Sequence, residues 1–201
     1  MIWLRSNKYD SFKIIWFRTM KCAGTSLKTA LEKQGILFNI IGSQIGLKKG
    51  LLKHNCVTPE AVQRASRMKG FDEAWKWTFV RNPWDRAVSN YFYMRKASYF
   101  DVTFKDYLKL PFNKMPNLAK AHGRSLCYYF GNTKIDFIGR YKNLQEDFDY
   151  VCEKIGIQTC KLPHENKTNH KHYTEYYDDE CIELVANKFA DDIERFGYKF
   201  T

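Results

Sequence analysis

The sequence has no Cys-x-x-Cys pair, although six cysteines (Cys22, Cys56, Cys127, Cys152, Cys160 and Cys181) are spread along its 201 residues. That spacing argues against a zinc site, and nothing near His170 and His172 completes a coordination shell. The chain also shows no basic-then-apolar leader and no apolar run long enough to cross a bilayer. The expectation is a cytoplasmic protein with mostly reduced thiols, or one of the Golgi lumen if the chain was trimmed from an anchored enzyme. Asn166-Lys167-Thr168, a formal glycosylation sequon, then reads as a polar loop. Internal repeats, low-complexity tracts and interdomain linkers are lacking, so residues 1–201 are expected to form a single domain. Acidic residues are the minority, 22 against 33 Lys and Arg, and the formal charge of +11 should attract anions. The basic residues are scattered and no reader motif accompanies them, which argues against a dedicated nucleic-acid module.

What the chain does have is a strand, loop and helix near its start. Phe12 to Leu27 reads Phe-Lys-Ile-Ile-Trp-Phe-Arg-Thr-Met-Lys-Cys-Ala-Gly-Thr-Ser-Leu. Ile14 to Phe17 has strand length with β-branched and aromatic content, and the turn ending in Gly24-Thr25-Ser26 opens a helical segment. Backbone N–H groups at a helix N-terminus lack intrahelical partners and carry partial positive charge, so this order of elements suits an anion. Lys21 adds a full charge, Gly24 would let the backbone approach a ligand, and Thr25 and Ser26 could cap the helix or donate to ligand oxygens. An ordinary capped strand-to-helix turn fits the same residues. The lysine precedes the glycine by three positions, so this is not the Gly-Lys-Ser/Thr loop of a nucleotide kinase, and no magnesium aspartate is evident after a strand.

A second unit follows the same plan. Trp75 to Val80 is a short apolar run leading into Arg81-Asn82-Pro83-Trp84-Asp85-Arg86-Ala87-Val88-Ser89-Asn90-Tyr91. Pro83 suits the first turn of a helix, Arg81 stands at the strand's carboxyl end, and Ser89 lies about two turns along, where both could face one phosphate.

Lys-x-x-Gly-Thr-Ser after a strand resembles the 5′-phosphosulfate-binding loop of sulfotransferases, whose donor is 3′-phosphoadenosine 5′-phosphosulfate. Arg-Asn-Pro-x-Asp-Arg-x-x-Ser-x-Tyr resembles the 3′-phosphate motif of the same family. Met20 departs from the proline that usually precedes the lysine in the carbohydrate branch. Similarity continues through Phe137 to Leu144 and Ile193 to Phe200, whereas Gly42 to Leu52 and Ser98 to Met115 match nothing in the family pattern.

The resemblance implies an α/β, P-loop-like three-layer fold with a mainly parallel sheet flanked by helices. It implies direct in-line transfer of a sulfuryl group to a hydroxyl, with a carbohydrate acceptor suggested by the C-terminal half. Donor contacts would come from Lys21, Cys22, Ala23, Gly24, Thr25, Ser26 and Leu27, with Arg81 and Ser89 at the 3′-phosphate. Lys21 would also stabilise charge growing on the leaving phosphate oxygen, and no metal is required. Several branches place a catalytic histidine between the second strand and the arginine motif, which implies His54 as base. Other branches use a glutamate, and Glu60 is the nearest carboxylate. Related enzymes close a basic loop over the nucleotide's 3′ side before the last helix, where Lys167, Lys171 and Tyr173 are candidates and a solvated loop is the alternative. The donor accounts for part of the excess charge; an acidic polysaccharide acceptor and a basic solvated surface both account for more. The competing functions are a non-catalytic nucleotide- or glycan-binding protein and a P-loop kinase.

Hydrophobic periodicity predicts strands at Phe12 to Phe17, Ile36 to Ile41, Trp75 to Val80 and Asp136 to Gly139, with residues 1 to 11 a lead-in. Helices are predicted at Thr25 to Gln34, Thr58 to Lys69, Pro83 to Arg95, Thr103 to Leu110, Leu118 to Phe130, Leu144 to Ile155 and from Asp178 onward. The first strand, helix and second strand read as a βαβ unit of a parallel sheet. Gly42 to Lys53 reads as a loop.

Overall fold

A computed structural model of the chain describes residues 2–6, 9–40, 57–97, 99, 101–115, 122–163 and 170–201. The chain divides into two compact units, residues 1–80 with 129–166, and 81–128 with 167–201. The expectations for Gly42 to Lys53, His54, Lys167 and the start of the Leu118 helix fall outside the described residues.

The first unit holds one sheet of five strands in the order β3-β1-β2-β4-β5: β1 (Ile2–Ser6), β2 (Tyr9–Phe17), β3 (Leu37–Ile40), β4 (Trp75–Val80) and β5 (Phe137–Arg140). β2, β4 and β5 are parallel neighbours, with Phe17 opposite Thr78 and Val80 opposite Arg140. The architecture is α/β, a three-strand parallel sheet extended by an antiparallel pair. The predicted βαβ unit is modified: β3 is antiparallel to β1, and β1 is antiparallel to β2, so β1 lies between the two strands that the reading joined directly. Residues 2–6 and 9–11 are therefore not a lead-in but one strand and the start of the next.

Among the described residues, three α-helices lie wholly in this unit. In α1 (Gly24–Lys33), Leu27, Ala30 and Leu31 form the buried face. In α2 (Pro59–Ser66), Thr58 Oγ1 accepts from Ala61 N at 3.2 Å and the proline takes the first turn. A helix at Leu144–Ile155, labelled α6 below, buries Phe148, Val151 and Cys152 and stops at Gly156, whose φ is 73°. Between strands, the Trp16 and Trp77 rings stack at 5.0 Å, and Gly139 is needed because a Cβ there would stand 2.6 Å from the Phe79 ring.

The second unit is helical. α3 (Pro83–Lys96), α4 (Phe104–Lys109), a 3-10 turn at Tyr173–Tyr176, α7 (Asp179–Lys188) and α8 (Ala190–Phe196) supply it, and the short α5 (Leu126–Phe130) begins in it. Its core gathers Trp84, Val88, Tyr91, Phe104, Tyr107, Tyr173, Val185 and Phe189. The last predicted helix is two: Phe189, with φ −122°, interrupts it, and its carbonyl accepts from both Asp192 N and Ile193 N at 3.0 Å. Of the helix predicted over Leu118 to Phe130, His122 and Leu126–Phe130 are helical, and residues 123–125 between them are not. Among the described residues, no helix is long and apolar enough to cross a membrane.

Candidate active site

The loop between β2 and α1 is held from both sides. Thr19 is buried and its hydroxyl donates to Phe79 O at 2.5 Å, while Thr78 Oγ1 donates to Phe17 O at 2.7 Å. These crossed bonds fix the loop to the carboxyl ends of β2 and β4. Arg18 O accepts from Val57 N at 3.2 Å, which ties in the chain leading to α2.

Within the loop, Lys21 and Ala23 have φ of 61° and 60°, in the left-handed region that residues with a Cβ rarely occupy. Left-handed residues at alternate positions turn successive N–H groups toward one side, which is how backbone forms an anion-binding concavity. Ala23 is the N-cap of α1 and offers no side-chain cap, and the first turn carries no acidic residue. A helix N-terminus of this kind, with neither side-chain cap nor acidic first turn, favours an anion.

Each predicted residue of this loop has a definite place. Lys21 is half-buried; Cys22 is buried with its thiol 3.4 Å from Met20 O; Ser26 and Leu27 are buried on the inner face of α1. Gly24 opens the helix, and its φ is not positive. What a side chain there would meet is Arg18, whose Nε would lie 2.7 Å from the added Cβ. Arg18 Nη2 in turn donates to Thr25 Oγ1 at 3.3 Å.

In the second unit, Asn82 Oδ1 caps α3 by accepting from Trp84 N at 3.0 Å, and its amide donates to Lys199 O at 2.9 Å. Arg81, 8% exposed, gives a two-pronged bond to Asp85: Nε to Oδ2 and Nη2 to Oδ1, both 2.7 Å. Ser89 is buried one turn beyond Asp85 on the same stripe of α3. Lys171 is exposed and pairs with Glu175 at 3.2 Å, whereas Tyr173 lies in the unit's core with its hydroxyl donating to Thr201 O. His54 lies outside the described residues; Glu60 is exposed in the first turn of α2.

The structure gives partners to residues that the sequence reading left without a role at the site. Besides Arg18 and Asp85, α3 carries two buried polar connections. Asn90 Nδ2 donates to the Tyr107 hydroxyl at 2.6 Å and its Oδ1 meets His122 Nδ1 at 2.9 Å. Burial pushes the Tyr107 hydroxyl up to about 12, so it stays protonated. Arg86 pairs with Asp192 at 3.1 Å, both almost fully buried. Among the described residues, no group of His, Cys, Asp and Glu could hold a metal ion.

The family model of sulfotransferases matches residues 7–199, a span that takes in both motifs. The chain belongs to the sulfotransferase family. An uncharacterized protein of Archaeoglobus fulgidus is 34% identical to it over 90 residues, which is 44% of this chain and 73% of that protein. The crystal structure of a sulfotransferase from Alicyclobacillus acidocaldarius superposes with a TM-score of 0.54, covering 92% of this chain and 96% of that one. At 14% identity that likeness shows the fold, which is P-loop-like. The strained loop at Lys21 and the forked Arg81 both lie within the span that the family model matches.

Proposed function

We propose that this sulfotransferase uses 3′-phosphoadenosine 5′-phosphosulfate and transfers its sulfuryl group to a carbohydrate hydroxyl. The observation that carries the reading is the loop with left-handed Lys21 and Ala23 at the N-terminus of α1, a backbone form and a helix end that both favour an anion. Lys21, Cys22, Ala23, Gly24, Thr25, Ser26 and Leu27 form the seat for the phosphosulfate end in this reading. Arg81 and Ser89 serve the 3′-phosphate, with Asp85 holding the Nε–Nη2 edge so that the guanidinium keeps one orientation. Lys171 and Tyr173 are assigned to the nucleotide's 3′ side, Lys171 through its charge and Tyr173 by fixing the backbone from the core. The carbohydrate acceptor rests on the resemblance of the C-terminal half.

In the proposed reaction the acceptor hydroxyl loses its proton to His54 as its oxygen attacks sulfur. The bond from sulfur to the bridging phosphate oxygen breaks, and its electron pair stays on the departing adenosine 3′,5′-bisphosphate. The Lys21 ammonium stabilises the charge that grows on that oxygen, an interaction stronger in the transition state than in the ground state. His54 takes this role on the resemblance alone, and it lies outside the described residues.

Labelled donor with a panel of sugar acceptors tests transfer directly, and His54→Ala tests the base. The variant is expected to lower kcat by about 10²- to 10⁴-fold while leaving bisphosphate affinity near wild type. Undiminished turnover in a folded His54→Ala protein would remove His54 from that role.

A further inference from the structure

We propose that Arg18 is a positioning residue of the anion loop: it aligns the Thr25 hydroxyl toward the donor, and Gly24 is a glycine to let the arginine pass. The inference deepens the donor reading above and rests on it.

Glycine at 24 is not explained by backbone freedom. The left-handed positions are occupied by Lys21 and Ala23, and Gly24 lies within α1. What excludes a side chain is the arginine, since an added Cβ would stand 2.7 Å from Arg18 Nε and 3.0 Å from its Cγ. The arginine is itself fixed at its base: its carbonyl accepts from Val57 N at 3.2 Å, and the next residue, Thr19, is anchored on Phe79 O.

The consequence lies in the direction of one proton. A guanidinium only donates, so in the 3.3 Å contact of Arg18 Nη2 with Thr25 Oγ1 the hydroxyl is the acceptor. Its single proton must then point to some other acceptor. Thr25 is the second residue of α1, at the end where N–H groups and the dipole favour an anion. A phosphate or sulfate oxygen seated in the loop is an acceptor of the required kind.

Two variant cycles read by calorimetric titration with adenosine 3′,5′-bisphosphate test this, with the melting temperature of each ligand-free variant as the folding control. Arg18→Ala and Thr25→Val are each expected to weaken binding about tenfold, and the double variant to be little worse than either, because one acts through the other. Arg18→Lys, which keeps a charged donor, should recover part of the loss. Gly24→Ala should weaken binding in the wild-type background and cost little when Arg18 is already alanine. Equal losses from Gly24→Ala in both backgrounds would mean that the glycine makes room for the ligand, and would overturn the inference. So would strictly additive effects of Arg18→Ala and Thr25→Val, or unchanged affinity in Arg18→Ala. Wild-type protein that binds no bisphosphate would overturn the donor reading itself, and this inference with it.

Discussion

At the scale of single residues, the most consequential buried pair lies outside the loop. Asp192, 1% exposed, accepts from Arg86 Nη2 at 3.1 Å, from Leu126 N at 2.8 Å and, through its other oxygen, from Cys127 N at 2.9 Å. Arg86 also donates to Arg124 O at 3.0 Å, and its guanidinium carbon lies 4.7 Å from the centre of the Phe189 ring. Asp192→Ala would leave a buried guanidinium without its carboxylate and two backbone donors without an acceptor. The expected loss, about 3 to 5 kcal/mol, should be visible as a lowered urea midpoint, whereas Lys134→Ala, at an exposed 3.9 Å pair, should barely move it. The Arg81–Asp85 fork was legible as an arginine and an acid four residues apart. Asp192 left a weaker trace, a carboxylate interrupting the apolar stripe of Val185, Phe189 and Phe196. Arg18 left none, because its partners Gly24 and Thr25 are brought to it by a loop whose strained residues are not glycines.

At the scale of elements, α7 shows how capping and pairing set pH dependence. Asp178 caps it by accepting from Cys181 N at 2.8 Å and also accepts from Lys105 Nζ at 2.8 Å. The bond from Lys105, then the bond from Cys181, holds the Asp178 carboxyl well below its ordinary 3.8. Glu180 is likewise lowered by Lys105 and Lys109, and Lys105 is raised in turn. A carboxylate depressed in the folded state stabilises the fold above its unfolded value, and that contribution is lost as pH falls. A raised lysine stabilises below its unfolded value, and that part is lost at strongly alkaline pH. Asp178→Asn is therefore expected to flatten the fall of the urea midpoint between roughly pH 5 and 2; an acid limb identical to wild type would count against the pairing. Helix starts were readable here and at Thr58 because a cap and its first turn are local. The break at Phe189 was not, since Ile182, Val185, Phe189 and Ile193 keep helical spacing across it and only the backbone bonding to Phe189 O reveals the interruption.

At the scale of the whole molecule, the parallel core of β2, β4 and β5 followed from strands that alternate with helices. The place of β1 did not, because pairing a first strand between the second and third depends on contacts far apart in sequence. The charge of +11 makes a further prediction. Affinity for adenosine 3′,5′-bisphosphate should fall by about an order of magnitude as ionic strength rises from low to several hundred millimolar, and a salt-independent affinity would show that charge does not drive donor binding. The central proposal is that Lys21 and Arg81 each contribute to binding the nucleotide donor. Calorimetric titration of adenosine 3′,5′-bisphosphate into wild type, Lys21→Ala and Arg81→Ala, without added metal, addresses it most directly. The account predicts wild-type binding that each substitution weakens at least about tenfold, the size expected for losing a charge-assisted bond. Absent wild-type binding, or equal affinity in all three proteins, would contradict it.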